Sequence, residues 1–231
     1  MRTVLFDLDG TLVDSAALIT HHLAGALRAV GAEVPGPAGL MSLVGPPFET
    51  ALPAIGLTAE QTTSAILHYR STYDPVAPEQ SALFPGIPEL LDKLGTAGLQ
   101  LAVATAKPER TAVRILTGLG LADRFALIGG SDPAVGRVGK GPVIASVLAR
   151  LDLDPARDAV VMVGDRSHDI EGAIANGVPG IGVGWGYAEP GELAEARLIV
   201  PDLDALFAVL TGDDTTVWSA SAAQRSGPAH P

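Results

Sequence analysis

A chain of 231 residues, of which 47% are hydrophobic, is long enough to bury a sizeable core in one or two domains. Its formal net charge of −11 disfavours nucleic acid as a partner, because phosphate backbones are bound by basic surfaces. The absence of cysteine excludes disulfides and thiolate chemistry, and no apolar stretch has the length of a membrane span or a secretion signal. We therefore expect a cytoplasmic protein whose partner is neither nucleic acid nor membrane, while the oligomeric state does not follow from the sequence.

Short apolar runs alternate with helical patterns along most of the chain. Strands are predicted at residues 3–8, 99–105, 125–129, 160–164, 180–183 and 197–200. Helices are predicted near residues 88–97, 109–119, 140–151, 169–176 and 203–210. This alternation is typical of an α/β protein with a Rossmann-like, mostly parallel sheet and helices on both faces.

One long interval interrupts the alternation after the first strand. Residues 15–81 have helical patterns, including a helix start at Ser15 and a capping box at residues 58–61. We interpret residues 15–81 as an α-helical cap domain inserted into a core of residues 1–14 and 82–211. Residues 73–86 are predicted to be the return linker. Residues 212–231 have no periodicity and are predicted to be a flexible tail outside the core, in which Trp218 is a candidate for packing.

The most informative segment is FDLDGTLVDS, residues 6–15. Asp7 and Asp9 follow a short apolar run that predicts a buried strand, and Gly10 and Thr11 end it. Ligands of open α/β sheets bind beyond the carboxyl ends of the strands. Two carboxylates this close repel each other unless a cation lies between them. The pattern therefore predicts a reactive, cation-binding site at this strand end.

Four segments together resemble the haloacid dehalogenase superfamily of phosphohydrolases. They are DLDGTLVDS from Asp7, LAVATAK from Leu101 to Lys107, Lys140 at a predicted helix start, and VMVGDRSHDIEGA from Val161. They occur in the family's order, and the resemblance covers roughly residues 1–210. It is closest to phosphoglycolate phosphatases and nucleotidase-like members, and it implies the same fold and the same placement of the cap.

The resemblance also implies roles for individual residues. Asp7 would be the nucleophile that forms an aspartyl-phosphate, and Asp9 the general acid and base. Lys140 and Thr105 would complete the catalytic set. Mg²⁺ would be held by Asp7, Asp9 and Asp165, with Asp169 holding a metal-bound water or orienting Lys140.

The phosphoryl group would be held by Gly10, Thr105, Ala106 and Lys140. Many relatives have Ser or Asn at the position of Ala106, so any side-chain contact from it is lost here. Lys107 and Arg110 are predicted to be solvated, although Lys107 could reach the cap. His168 could contact the substrate or be a solvated loop residue.

The substrate is expected to be a small anionic phosphate ester, selected by Gly45, Pro46 and Arg70 of the cap. Gly45 and Pro46 belong to a Gly-Pro-Pro turn that either faces the active site or only connects two helices. The predicted activity is magnesium-dependent hydrolysis of a phosphate monoester, with phosphoglycolate first and nucleoside monophosphates second. The alternatives are β-phosphoglucomutase-like transfer, dehalogenation, which Asp9 opposes, and a non-catalytic regulatory role, which needs no nucleophile.

Overall fold

The structure, a computed structural model, describes residues 1–219. Its strands are β1 (Arg2–Phe6), β2 (Val13–Asp14), β3 (Ala82–Leu83), β4 (Gln100–Pro108), β5 (Leu127–Ser131), β6 (Ala159–Gly164), β7 (Gly180–Val183) and β8 (Leu198–Val200). Its helices are α1 (Ala16–Ala29), α2 (Pro37–Met41), α3 (Phe48–Ala54), α4 (Ala59–Gln80), α5 (Ile87–Thr96), α6 (Glu109–Gly118), α7 (Lys140–Arg150), α8 (Ser167–Ala175) and α9 (Leu203–Thr211). Three short 3₁₀ helices lie at Ala122–Arg124, Pro133–Val135 and Thr215–Trp218.

Six parallel strands form the main sheet in the order β5-β4-β1-β6-β7-β8. The predicted α/β class with a Rossmann-like sheet is confirmed. β1 lies between β4 and β6, and the three strands run in the same direction. Their carboxyl ends therefore meet at one edge, where such sheets bind ligands.

The central strand is apolar on both faces because helices cover both sides of the sheet. Val4 and Phe6 belong to a large buried cluster that extends to the inserted helices, whereas Leu5 packs on the opposite face with Val143 and Val147 of α7. This alternation follows from the pleat, which turns successive side chains to opposite faces. All six predicted strands and all five predicted helices are present, with boundaries shifted by a few residues.

Helices α1 to α4 form an insertion between β2 and β3. These two short strands pair with each other in antiparallel fashion, Val13 with Leu83 and Asp14 with Ala82. The chain therefore enters and leaves the insertion at one place. At the entry, the side chain of Ser15 does not cap α1; instead the backbone amides of Ser15 and Ala16 donate to the hydroxyl of Tyr187, at 2.8 and 3.1 Å.

Helix α4 is longer than the sequence indicated. It begins with the predicted capping box of Thr58 and Gln61 but continues to Gln80 through two internal prolines. The predicted linker from residue 73 is therefore wrong over its first eight residues. Tyr73 and Ala77 are buried along this last part of the helix, and their packing outweighs the loss of backbone donors at the prolines.

The prediction that the segment after α9 lies outside the core is wrong for its first part. Val217 and Trp218 are buried and belong to the main hydrophobic cluster, with the guanidinium of Arg2 5.2 Å from the Trp218 ring centroid. Residues 220–231 of the predicted tail lie outside the described residues. Within residues 1–219, none of the helices has both the length and the apolar character needed to cross a membrane.

Candidate active site

The residues singled out in the sequence meet at the carboxyl ends of β1, β4 and β6. Asp7 and Asp9 follow β1, Thr105 lies within β4, and Asp165 follows β6. All four are buried. Their proximity follows from the strand order, because these strands are neighbours in the sheet.

Lys140, the first residue of α7, joins the acidic groups. Its Nζ donates to the carbonyl oxygen of Ala104 at 2.9 Å and forms ion pairs with Asp169 Oδ1 at 2.7 Å and with Asp7 Oδ1. An ammonium has three N–H groups, so each has a partner. Burial alone would lower the pKa of Lys140, but Asp169 and Asp7 outweigh it and raise the pKa, so this residue stays cationic.

The carboxylates differ in their ease of ionisation. Burial, with repulsion from Asp169 and Asp9, outweighs Lys140 and raises the pKa of Asp7 to about 7. Burial and the charges of Asp169 and Asp7 also raise the pKa of Asp165 well above its usual range. Burial acts against ionisation of Asp169 too, but there Lys140 prevails and the pKa is lowered. The site therefore holds more negative charge than Lys140 balances.

Asp165 is held in a defined orientation by two hydrogen bonds. Thr11 Oγ1 donates to its Oδ1 at 3.0 Å, and the backbone amide of Tyr187 donates to its Oδ2 at 2.9 Å. Tyr187 lies outside the four segments that carry the family resemblance. The bond comes from a backbone group, so no side-chain pattern could have revealed it.

Gly10 makes a close approach that leaves no room for a side chain. Its φ is +85°, and a Cβ atom there would lie 2.2 Å from Asp165 Oδ2. Its amide already donates to the carbonyl oxygen of Val13 at 2.9 Å. We therefore no longer assign phosphate binding to Gly10; its role is to let the loop after β1 pass Asp165.

The donor set fits a divalent metal. Carboxylate oxygens are the ligands of hard cations, and added positive charge would relieve the repulsion that raises the pKa values of Asp7 and Asp165. Asp9 Oδ1 is buried and, within residues 1–219, accepts no hydrogen bond. These residues could hold a metal mainly through carboxylate oxygens.

A second ligand combination includes a histidine that the sequence did not assign to a metal. Asp7, His168 and Asp169 offer ligand atoms that all lie within 4.8 Å of one another. Burial lowers the pKa of His168, which favours the neutral imidazole that a metal requires. However, Lys140 already bridges Asp7 and Asp169, so a cation between these two would face the ammonium.

A cavity of about 70 Å³ lies between the sheet edge and the insertion. Asp7, Asp9, Thr105 and Ala106 line it from the core. Lys107 Nα donates to Thr105 Oγ1 at 3.3 Å, which leaves the hydroxyl proton of Thr105 free to donate in turn. The cap residues named from the sequence, Gly45, Pro46 and Arg70, line the same cavity. The Gly-Pro-Pro turn therefore faces the site and is more than a helix connection.

Lys107 is not solvated, contrary to the first prediction, but reaches the inserted helix α4, which was the alternative drawn from the sequence. Its side chain is 6% exposed, and its Nζ lies 3.0 Å from Asp9 Oδ2 and 3.0 Å from the hydroxyl of Tyr73. Burial would lower the pKa of Lys107, but Asp9 and the two neighbouring tyrosines raise it well above its usual value. The sequence could not show this, because both partners are distant in the chain.

Arg166 is another functional candidate that sequence reasoning missed. It is buried, and its Nη1 donates to the carbonyl oxygen of Val44 at 2.6 Å while its Nε pairs with Glu192 at 2.7 Å. Gly45, which follows Val44 in the chain, approaches His168 so closely that a Cβ atom on Gly45 would lie 2.8 Å from Cε1 of His168. Arg166 therefore connects the core to the Gly-Pro-Pro turn of the insertion, and Gly45 has little free space.

Known proteins agree with this architecture. Residues 4–183 match the family described as haloacid dehalogenase-like hydrolase. The crystal structure of a predicted phosphatase from Clostridium acetobutylicum superposes with a TM-score of 0.84 at 34% identity, covering 90% of this chain and 97% of that chain.

Curated relatives have three different names. Tyrosine-protein kinase PtkA of Mycobacterium tuberculosis is 46% identical over 186 residues, 80% of this chain, and the chain spans only 63% of that protein's length. A 5'-nucleotidase of Pseudomonas aeruginosa is 37% identical over 82% of this chain and 86% of its own length. A phosphoglycolate phosphatase of Caulobacter vibrioides is 34% identical, with 86% of each chain covered.

The family match covers most of the chain and includes the strand ends that carry Asp7, Thr105 and Asp165. The resemblance drawn from the four sequence segments is thereby confirmed. The chain belongs to the haloacid dehalogenase-like hydrolase family, in its phosphoglycolate phosphatase-like branch.

Proposed function

We propose that this protein hydrolyses a small anionic phosphate monoester with the help of Mg²⁺ and through an aspartyl-phosphate on Asp7. Phosphoglycolate is our first candidate substrate, and a nucleoside monophosphate is the second. One observation carries the proposal: Asp7 and Asp9 line the same small cavity as the cap turn and Arg70. An attacking carboxylate, a second carboxyl group and a substrate-sized space are therefore in one place. We also propose that residues 15–81 act as the cap domain.

In the first step, a carboxylate oxygen of Asp7 attacks phosphorus and the bond from phosphorus to the ester oxygen breaks. The departing alkoxide takes a proton from the carboxyl group of Asp9, which becomes a carboxylate. Lys140, paired with Asp7, balances the negative charge that spreads over the phosphoryl oxygens. Thr105 Oγ1 and the amide of Ala106 hold these oxygens.

In the second step, Asp9 takes a proton from water as the water oxygen attacks phosphorus. The bond from phosphorus to Asp7 breaks, which releases inorganic phosphate and regenerates the carboxylate. Mg²⁺ held by Asp7, Asp9 and Asp165 would supply further positive charge for the phosphoryl oxygens. Asp169 keeps Lys140 in place from the other side.

The proposal is tested by phosphate release from a panel of phosphate esters, measured with and without Mg²⁺. Asp7→Asn should fold normally but lose turnover, because an amide cannot attack phosphorus. Asp165→Ala should raise the Mg²⁺ concentration needed for half-maximal activity more than Asp169→Asn does. A folded Asp7→Asn variant with appreciable activity, or a wild type that ignores chelation, would refute the mechanism.

A second candidate function is transfer of the phosphoryl group to a protein tyrosine. The 46% identity to a relative named tyrosine-protein kinase favours it. Incubation with radiolabelled ATP and a tyrosine-containing polymer separates the two: label on the polymer would favour transfer, and release of free phosphate from small esters alone would favour hydrolysis.

A further inference from the structure

Lys107 is a buried cation with donor capacity to spare. Its Nζ contacts Asp9 Oδ2 and the hydroxyl of Tyr73, each at 3.0 Å. An ammonium has three N–H groups, and within residues 1–219 the third has no hydrogen-bond partner. Lys107 also lines the cavity. Its Nζ also lies 4.5 Å from the centroid of the Tyr73 ring, a weaker contact than a hydrogen bond. A buried N–H without a hydrogen-bond partner beside a cavity is costly unless a ligand completes it.

Within residues 1–219, two other cations near the site have their donors engaged or are exposed, and a third, the buried Arg166, is not among the residues that line the cavity. Lys140 uses all three N–H groups on Ala104, Asp7 and Asp169. Arg70 lies at the rim with its side chain 38% exposed, and it pairs with Glu49 at 3.2 Å. Lys107 is therefore the buried cation best placed to meet a substrate group in the interior of the cavity.

The position of Lys107 is built into the backbone. The pairing of β4 with β5 shifts register between Thr105 and Pro108, which leaves Ala106 and Lys107 as a bulge. Bulges re-aim side chains next to active sites. The bulge needs Gly130 opposite it, because a Cβ there would lie 2.6 Å from the carbonyl oxygen of Lys107.

Lys107 lies on the leaving-group side of the proposed reaction. Asp9, its partner, is the residue assigned to the departing alkoxide, so a group close to Lys107 belongs to the alcohol part of the ester. Asp74 also lines this region, but its Oδ1 accepts a hydrogen bond from Thr111 Oγ1 at 3.2 Å. Tyr73 keeps Lys107 attached to the cap helix α4.

We infer that Lys107 determines specificity by binding a second anionic group, a carboxylate one or two carbons from the ester oxygen. This inference rests on the proposed function and narrows its substrate class to phosphate esters of small hydroxy acids. An ester with a neutral group in that place leaves the third N–H of Lys107 unpaired. We expect such an ester to be used about ten- to a hundred-fold less efficiently.

The experiment compares phosphoglycolate with 2-hydroxyethyl phosphate, which replaces the carboxylate by a neutral alcohol of similar size. kcat and KM are measured for both esters with wild type, Lys107→Gln, Tyr73→Phe and the control Lys93→Gln. Lys93 is an exposed lysine on α5, so the control makes the same chemical change away from the cavity. Circular dichroism checks that each variant folds.

Wild type and Lys93→Gln should prefer phosphoglycolate about ten-fold or more, largely through KM, and Lys107→Gln should bring the kcat/KM ratio of the two esters close to one. Tyr73→Phe keeps the ring and removes the hydroxyl that orients Lys107. It should reduce the preference for phosphoglycolate by a smaller factor than Lys107→Gln does. If Lys107→Gln lowers kcat/KM for both esters by the same factor, Lys107 only supports Asp9 and the inference is wrong. If Lys107→Gln does not fold, the same criterion is applied to Tyr73→Phe. Equal use of both esters by wild type would also refute it while leaving the proposed function intact. If wild type hydrolyses neither of these esters and does not hydrolyse p-nitrophenyl phosphate, both the proposed function and this inference are wrong.

Discussion

The chemistry of single residues in this site is governed by an excess of buried negative charge. Lys140 pairs with Asp7 and Asp169, and both of these carboxylates repel the charge of Asp165. The pKa of Asp7 rises to about 7 because burial and its acidic neighbours outweigh the lysine. A raised pKa in the folded state means that the fold favours the protonated carboxyl group. Ionising Asp7 between about pH 4 and pH 7 therefore reduces stability, and above pH 7 the loss is complete.

A cation bound to the carboxylates removes this loss only where Asp7 is ionised. We expect Mg²⁺ to raise the melting temperature more at pH 8 than at pH 5, because at the lower pH it must first displace a proton. Thermal unfolding with and without Mg²⁺ across this range is the measurement. The difference between the two pH values should shrink in Asp7→Asn. A shift that is equal at both pH values, or larger at pH 5, contradicts this view of the charges.

Substitution of Gly10 should affect both stability and Mg²⁺ binding. In Gly10→Ala the new Cβ would lie 2.2 Å from Asp165 Oδ2, so the carboxylate or the loop must move. Gly31→Ala is the matched control, since φ there is also positive, +69°, but no atom lies within 4 Å of the added Cβ. Both should lose about 1–2 kcal/mol of stability from backbone strain. Only Gly10→Ala should also weaken Mg²⁺ binding, which calorimetric titration would measure; unchanged binding would show that Asp165 is not a ligand.

Some contacts in the site could be predicted from the sequence, and others could not. Asp7, Asp165 and Lys140 could be placed together because strand ends and helix starts of a parallel sheet share one edge. Lys107 could not be placed, since its environment depends on a bulge in β4 and on Tyr73, thirty-four positions earlier in the chain. The hydrogen bond from Arg166 to Val44, which joins the core to the insertion, could not be predicted either.

Among the elements, the helical insertion was predictable in outline, and α4 was not predictable in length. Its start carries the capping box that the residues Thr58 and Gln61 indicated. Its end was missed because Pro75 and Pro78 favour a helix stop locally, whereas burial of Tyr73 against α1 and the core keeps the segment helical. The two extra turns matter, since they carry the hydroxyl that contacts Lys107.

The insertion also supplies the prediction on specificity. Arg70→Ala, Pro46→Ala and Gly45→Ala should change the relative kcat/KM values of different esters, while the Mg²⁺ dependence stays the same. The reason is that these residues line the cavity but contribute no carboxylate to the metal. Loss of one polar contact should alter discrimination by about 1–3 kcal/mol.

Arg28→Ala is the control for Arg70→Ala, because Arg28 is an exposed arginine of α1 in the same insertion. It should leave the ratios unchanged. kcat/KM across the ester panel is the measurement. A single common factor for every ester would mean that the insertion only covers the site, and its assigned role in selection would be wrong.

In the whole protein, core and insertion line one cavity. The core provides Asp7 and Asp9, the insertion provides the turn at Gly45 and the helix with Tyr73, and Arg166 joins them. In the proposed reaction, this placement would limit the access of bulk water to the phosphoryl group. Relatives named phosphatase, nucleotidase and kinase are 34% to 46% identical to this chain, so the fate of the phosphoryl group is what distinguishes the proposed hydrolase.

The proposed aspartyl-phosphate is tested by rapid acid quenching during turnover of phosphoglycolate, followed by mass spectrometry of the peptide that contains Asp7. A transient phosphoryl group on Asp7 should appear before inorganic phosphate and decay at the rate at which phosphate is released. The adduct should last longer in Asp9→Asn, if it forms there, because water then lacks its base. Turnover by wild type with no modification of Asp7 at any time point, or with the phosphoryl group on another residue, would contradict the account.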